Sequence, residues 1–223
     1  MATKNIDKVD LLLSKLDRKQ LADFIRKECC GNKQFQDRFL ALGAGTLFKP
    51  DPAKYASRVE DLMEDYSGRH GYIDYRSTFD FNRAVSHILT EADDAMERGQ
   101  WGVAVAVLTG IASVSEDILN SGDDSAGELG AIVDECFEKW HELCADDSLP
   151  ENIKSEIFEL ALSRFNDKDL KGWDWWWDWM EMAISLADTQ EKQSRIIKAL
   201  DAIKSNGDNW SAKHNAETAQ KYK

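Results

Sequence analysis

Apolar residues recur at helical spacing along nearly the whole chain, and few residues interrupt the pattern. One such stripe consists of Phe81, Val85, Ile88, Leu89, Ala92 and Met96, a spacing typical of a helix that buries one face. The 223 residues include only 3 prolines and 13 glycines, too few for the many turns of a β-sandwich or β-barrel. We therefore predict an all-α fold, an irregular α-solenoid of stacked antiparallel helix pairs similar to tetratricopeptide or HEAT repeats.

The segment 101–119 is apolar on two faces. Large side chains, among them Val103, Val107 and Ile111, form one stripe, and small residues ending at Gly110 form the other. Because small residues allow helices to approach closely, we predict a helix packed between neighbours on both sides. A β-strand over the Val-Ala-Val-Ala-Val run is the alternative, which the helical patterns on either side disfavour.

Several apolar stripes are preceded by residues that commonly cap helices. Asp17 and Gln20 form the pattern of a capping box, and Asp51 with Pro52 has the pattern of an N-cap followed by a first helical residue. Capping boxes are also predicted at Ser125–Glu128, Ser148–Glu151 and Asp188–Glu191.

A segment with two glycines separates two parts of the chain that differ in charge. We predict an N-terminal helical subdomain at 1–66, a connection at 67–75, a helical-repeat domain at 76–205 and a polar C-terminal tail at 206–223. Residues 76–166 hold 6 Lys+Arg against 19 Asp+Glu, whereas residues 1–75 hold 13 against 12. The acidity therefore belongs to the middle of the chain.

The charge limits the class of partner. A net charge of −13 repels phosphate groups, so we expect neither nucleic acid nor a membrane as a partner. The acidic middle helices are interpreted as a solvated surface, or as a docking face for a protein partner with a basic face. No apolar run reaches the ~18 residues of a membrane-spanning helix.

The four cysteines, Cys29, Cys30, Cys136 and Cys144, lack the spacing of a zinc site. Cys136 and Cys144 are interpreted as small buried hydrophobic residues on one helix face. Few cysteines without a disulfide framework, and no signal-peptide pattern, predict a reducing, cytoplasmic location.

The acidic segment 120–128 is similar in composition to a calcium loop. An EF-hand needs glycine at its sixth position and acidic or amide residues at its first, third and fifth, and neither Gly122 nor Gly127 satisfies this pattern. We instead place Asp123 and Asp124 near the positive end of the following helix, with Ser125 and Glu128 as its caps.

Five tryptophans occur within Trp173–Trp179. On a helix Trp176 and Trp177 share a face with Met180 and Ile184, and we assign that face to the core. The opposite face either packs against a second neighbour, so that the helix is wedged between two others, or forms a binding surface, since tryptophan is enriched in interaction hot spots. The candidate partner surface consists of Trp175, Trp179, Asp174, Asp178, Asp123 and Asp124.

No arrangement of residues typical of catalysis is present. Asp174 and Asp178 share a helix face, but no histidine or lysine is positioned beside them by the sequence pattern. The histidines form neither an H-E-x-x-H pattern nor part of a nucleophile elbow; they are His70, His87, His141 and His214. We therefore predict no catalytic residue, no cofactor and no metal site.

Two stretches of the chain are familiar in combination. The first runs Leu21-Ala-Asp-Phe-Ile-Arg-Lys-Glu-Cys, followed by Phe35-Gln-Asp-Arg-Phe-Leu, and the second runs from Gly71-Tyr-Ile-Asp-Tyr to Asp123-Asp-Ser-Ala-Gly-Glu-Leu-Gly130. Over about residues 16–165 the chain resembles the helical region that accompanies SWIM-type zinc-finger proteins in bacteria. The C-x-C and C-x-H patterns of that finger are absent, so zinc and nucleic acid do not carry over. The resemblance implies an all-helical repeat scaffold, either a module of a larger protein or a relative without the finger.

We predict a non-catalytic helical-repeat scaffold or protein–protein interaction module. The alternative is a small-ligand-binding protein or an enzyme with a Trp/Asp-lined pocket, where a sugar or a cation stacks on indole rings. A third possibility is a purely structural domain. The direction of the indoles distinguishes these functions. Indoles that line a concave pocket with Asp174 or Asp178 favour a ligand, and a flat exposed ridge favours a protein partner.

Overall fold

The computed structural model describes residues 11–47, 50–68, 71–173 and 175–204, with side chains except at 41–47 and 203–204. Its elements are α1 (Arg18–Gly31), α2 (Lys33–Leu47), α3 (Pro52–Tyr66), α4 (Tyr75–Glu97), α5 (Trp101–Ser113), α6 (Ser115–Asn120), α7 (Glu128–Ala145), α8 (Glu151–Phe165), α9 (Trp176–Ser185) and α10 (Gln190–Lys204). Within these residues no strand forms, and extended backbone pairs only at two isolated bridges. The predicted all-α class is confirmed, while Asp174 and the predicted tail 206–223 lie outside the described residues.

The chain divides into two compact units, residues 1–49 and residues 50–223. In the first unit α1 packs against α2. The capping box predicted at Asp17 and Gln20 is confirmed: the Gln20 N–H donates to the Asp17 carboxylate at 2.8 Å, and the Asp17 N–H donates to Gln20 Oε1 at 3.0 Å. None of the α1 side chains is buried.

The helix α3 packs against α4 and α5 and belongs to the larger unit. The division of the chain therefore lies between residues 49 and 50, and differs from the boundary expected at 67–75. The reason is a close approach at Gly110 of α5. A Cβ atom there would lie 2.5 Å from the Pro52 carbonyl oxygen and 2.6 Å from Tyr55 Cβ, so only glycine lets α3 come this near.

An ion pair strengthens the attachment of α3. The Arg58 guanidinium donates to both carboxylate oxygens of Glu91 on α4, at 2.7 and 3.0 Å. Glu91 is buried, so loss of Arg58 would leave its carboxylate without this ion-pair partner in the core. The start of α3 is as predicted, with the Asp51 carboxylate accepting from the Ala53 N–H at 3.1 Å and Pro52 as the first helical residue.

The helix α5 packs against α3, α4 and α7 at the centre of the larger unit. Every residue from Val103 to Leu108 is buried, as expected for a helix that is apolar on two faces. The strand alternative for the Val-Ala-Val-Ala-Val run is therefore wrong. The helix predicted over 101–119 is divided at Val114 into α5 and α6. Among the described helices, none combines the length and the apolar character needed to span a membrane.

The connection before α4 is pinned to the loop before α7. The Ile73 N–H donates to the Ser121 carbonyl at 2.9 Å, and the Asp123 N–H donates to the Ile73 carbonyl at 3.0 Å. A Cβ atom at Gly122 would lie 2.7 Å from the Ile73 carbonyl oxygen, so glycine permits this contact. The pairing holds the acidic loop in place at the start of α7.

Asp124 caps α7, and the predicted capping by Ser125 and Glu128 is wrong. The Asp124 carboxylate accepts from the Leu129 N–H at 2.7 Å and from the Gly130 N–H at 3.2 Å. Glu128 is the first helical residue, whereas a capping box needs the glutamate at the third helical position. Ser125 instead donates its hydroxyl to Asp123.

The two later capping boxes are also wrong, because each helix begins at a different residue from the one predicted. The helix α8 begins at Glu151 without a side-chain cap, and Ser148 donates to Asp146 at 2.6 Å. The helix α10 begins at Gln190, and the Thr189 hydroxyl accepts from the Lys192 N–H at 3.3 Å.

Candidate functional site

An open groove of about 610 Å³ runs between α7 and the segment 172–178. Carboxylates and aromatic side chains dominate its lining: Asp124, Asp134, Glu138, Asp178, Phe137, Trp173 and Trp175, together with His141. We call this feature the acidic groove.

The helix α7 supplies one wall. Asp134, Glu138 and His141 are four and then three residues apart, so they share one face of the helix. The other face enters the core, where Cys136 and Trp140 are buried. Because the apolar face of α7 is held by packing, the polar face is presented to the groove.

The segment before and within α9 supplies the opposite wall. The rings of Trp173 and Trp175 stack with their centroids 4.6 Å apart. Trp175 is 7% exposed, so it contributes an edge of its ring to the groove and not a broad surface. Asp178 follows three residues later, on the first turn of α9.

Trp179 lies in the core beneath the groove. It is 2% exposed, its ring meets Phe137 edge-on at 5.2 Å, and its centroid lies 6.1 Å from that of Trp140. Trp179 therefore cannot belong to an exposed partner surface, contrary to the sequence prediction. It joins α9 to α7 and so fixes the two walls relative to each other.

The assignment of Trp176 and Trp177 to the core holds for only one of them. Trp176 is buried, stacks on Phe165 at 4.4 Å and donates its indole N–H to the Phe165 carbonyl at 2.8 Å. Trp177 is only half-buried. The buried residues of α9 include Trp176, Trp179, Met180 and Ala183, which share one helix face. Trp177 and Ile184 lie at the edge of that face and are half-buried, so their assignment to the core was wrong.

His141 and Asp178 meet across the groove wall. His141 Nε2 lies 3.0 Å from Asp178 Oδ1, and both side chains are about one-third exposed, at 37% and 32%. The hydrogen bond with Asp178 raises the pKa of the His141 imidazole above its ordinary value, because the carboxylate stabilises the charged form, while partial burial opposes the shift. The expectation that no histidine is positioned near Asp178 is therefore wrong. The sequence pattern did not show this contact because the two residues are 37 apart in sequence.

The acidic loop contributes unequally to the groove. Asp124 lines it while also capping α7. Asp123 instead accepts hydrogen bonds from the backbone and hydroxyl of Ser125, and these bonds lower the pKa of its carboxyl. The structure thus brings Asp124, Trp175 and Asp178 of the candidate surface to one groove. Asp174 lies outside the described residues.

Three groove residues were missed from the sequence: Asp134, Glu138 and His141. Their spacing on one face of α7 was a usable signal, because it predicts a continuous polar stripe opposite the apolar one. Only the tertiary contact with α9 distinguishes this stripe from an ordinary solvated face.

The buried cysteines do not take part in the groove. Cys136 and Cys144 are buried in α7, and burial raises the pKa of the Cys144 thiol to about 12. Both therefore remain protonated near neutral pH and are poor nucleophiles. This agrees with their interpretation as small hydrophobic residues.

Comparison with known proteins assigns no function to the acidic groove. The similarity to the helical region of SWIM-type proteins stays a prediction. The groove is therefore interpreted from its own chemistry. No protein-family model, no curated protein sequence and no solved structure matches the chain.

Proposed function

We propose that this chain is a non-catalytic helical binding module whose acidic groove receives a lysine- or arginine-bearing segment of a protein partner. The observation that carries the proposal is the lining, in which four carboxylates and three aromatic rings face one open groove. The charged ends of lysine or arginine side chains can pair with the carboxylates, and their methylene stems can pack on the aromatic rings.

Charge supports a cationic partner. Asp124, Asp134, Glu138 and Asp178 line the groove, and among the residues that the structure describes no lysine or arginine contributes to that lining. Such a surface attracts basic segments over distances of about a Debye length, ~8 Å at physiological ionic strength.

The aromatic rings add affinity for the same chemistry. Trp173 and Trp175 form a stacked pair at the edge of the groove. Trp175 offers only an edge of its ring, so the cation would lie over the half-buried Trp173, where a cation–π contact contributes about 0.5–1 kcal/mol at an exposed site. The methylene stem of a lysine or arginine can pack on the same rings.

A small organic cation is the second candidate. The volume of about 610 Å³ falls within the range of about 300–1,000 Å³ that is usual for small-molecule pockets. The indoles line a concave surface together with Asp178, an arrangement that favours an inserted ligand, whether a basic peptide segment or a small cation, over a flat protein interface.

Two further features belong to the proposal. We place the module in the cytoplasm, supported by four cysteines that are all free thiols. The acidic groove also supports exclusion of nucleic acid from this surface, since phosphates would meet carboxylates.

Calorimetric titration of short peptides into the full chain tests the proposal. A lysine-rich peptide should bind, with an affinity that falls as salt rises, and a glutamate-rich peptide of equal length should not. The double variant Asp134→Asn/Glu138→Gln should weaken binding about fivefold, since two exposed ion pairs contribute about 0.5 kcal/mol each.

The matched control is Glu142→Gln/Asp147→Asn, which removes the same charge at exposed positions outside the groove lining. Equal weakening by both double variants would show attraction to net charge alone and would refute the groove. Binding of free argininamide as tight as the basic peptide would favour the small-cation candidate.

A further inference from the structure

One cluster at the edge of the acidic groove has the composition of a metal site. A nitrogen of His141 and carboxylate oxygens of Asp178 and Glu181 all lie within 4.8 Å of one another. Imidazole nitrogen and carboxylate oxygen are both ligands of Zn²⁺ and related divalent transition metals. The cluster draws on two helices, with His141 on α7 and the carboxylates on α9.

The spacing of two of the three ligand atoms is close to that around a bound ion. Two ligands of a tetrahedral zinc ion lie ~3.3 Å apart when each bond is about 2.0–2.1 Å. The observed distance from His141 Nε2 to Asp178 Oδ1 is 3.0 Å. A carboxylate oxygen of Glu181 lies within 4.8 Å of a nitrogen of His141 and an oxygen of Asp178, so a rotation of its exposed side chain would bring it to ligand distance.

The scaffold holds the first two ligands without the ion. Trp179 packs on Phe137 and Trp140 between α7 and α9, which fixes His141 opposite Asp178. Glu181 lies three residues beyond Asp178 and therefore shares its helix face. The site is open to solvent, because His141 and Asp178 also line the groove.

We propose that His141, Asp178 and Glu181 bind one divalent transition-metal ion of the Zn²⁺ class, with its remaining coordination positions open to water or a ligand. The sequence offered no such site, since the residues follow no metal-binding spacing. The site shares His141 and Asp178 with the lining of the acidic groove, but it can be tested separately from peptide binding, because His141 and Glu181 can be changed while Asp134 and Glu138 are kept.

Calorimetric titration of ZnCl₂ into the metal-free full chain tests the site. We expect one Zn²⁺ ion to bind at the cluster, and His141→Ala and Glu181→Gln should each lower the affinity of the protein for that ion. Since loss of a group that merely orients a ligand costs about ten- to a hundredfold, loss of a ligand should cost at least tenfold. Glu142→Gln is the matched control, as it removes the same charge from the residue next to His141 and should leave the affinity unchanged.

The adjacent Cys29 and Cys30 are free and could bind zinc themselves. Titration of Co²⁺ separates the two locations, because thiolate ligands produce an intense near-ultraviolet charge-transfer band that nitrogen and oxygen ligands lack. The site predicts cobalt binding without that band, retained in Cys29→Ser/Cys30→Ser. Binding that survives His141→Ala, binding lost with the cysteines, or no binding at all would each overturn the proposal. Circular dichroism confirms that each variant is folded.

Discussion

At the scale of single residues, two glycines of α5 show how local space decides the effect of one methyl group. A Cβ atom at Gly110 would lie 2.5 Å from the backbone of α3, whereas one at Gly102 would meet only Pro50 Cγ at an ordinary 3.6 Å. The two positions therefore lie in the same helix, but only Gly102 has room for a methyl group.

Gly110→Ala should destabilise the protein by about 1–3 kcal/mol, because α3 must move away from α5. Gly102→Ala should be neutral or stabilising by up to about 1 kcal/mol, since alanine favours the helix. Urea unfolding followed by circular dichroism measures both. Equal unfolding midpoints for the two variants would contradict the close contact between α3 and α5.

At the scale of elements, the start of α7 depends on Asp124. Its carboxylate accepts hydrogen bonds from the backbone N–H groups of Leu129 and Gly130. These groups lie in the first turn, where the helix itself provides no acceptor. Ser125, the residue expected to cap from its sequence pattern, makes its contacts with Asp123.

Asp124→Ala should therefore cost about 1 kcal/mol of stability, the usual effect of losing an N-cap. Ser125→Ala should change the free energy of unfolding by less than about 0.5 kcal/mol, as surface changes usually do. Thermal and urea unfolding of both variants test this pair. If Ser125→Ala proved the more damaging, the capping geometry at α7 would be wrong.

At the scale of the whole molecule, the buried core begins at Tyr55. Among the described residues, every buried apolar side chain lies between Tyr55 and Leu200, all within the unit 50–223. That unit contains α3, whose Tyr55 and Val59 are buried.

The chain truncated to 50–223 should unfold cooperatively, with a midpoint close to that of the full chain. Truncation to 67–223 should be strongly destabilised, because it uncovers the α3-facing side of α5 and leaves the buried Glu91 without Arg58; loss of one partner of a buried pair costs about 3–5 kcal/mol. Calorimetry compares the two. A stable 67–223 would support the boundary expected at 67–75.

Helix content follows from the sequence alone, because a period near 3.6 in apolar residues is set by local geometry. The stripes predicted the all-α class and the double-faced packing of α5, and the capping patterns predicted the caps at Asp17 and Asp51. These features depend on residues only a few positions apart, so a reading along the chain contains the information they need.

The tertiary structure alone decided where those helices meet. The sequence prediction put Trp179 on an outer face, although its spacing from Trp176 and Ala183 gives it their face, and only the tertiary structure shows that α7 covers it. The pairing of His141 with Asp178 joins residues 37 apart, and the membership of α3 in the larger unit depends on Gly110 meeting Pro52 and Tyr55. Periodicity states which face of a helix is apolar, but the neighbour that buries it is selected by packing across the whole molecule.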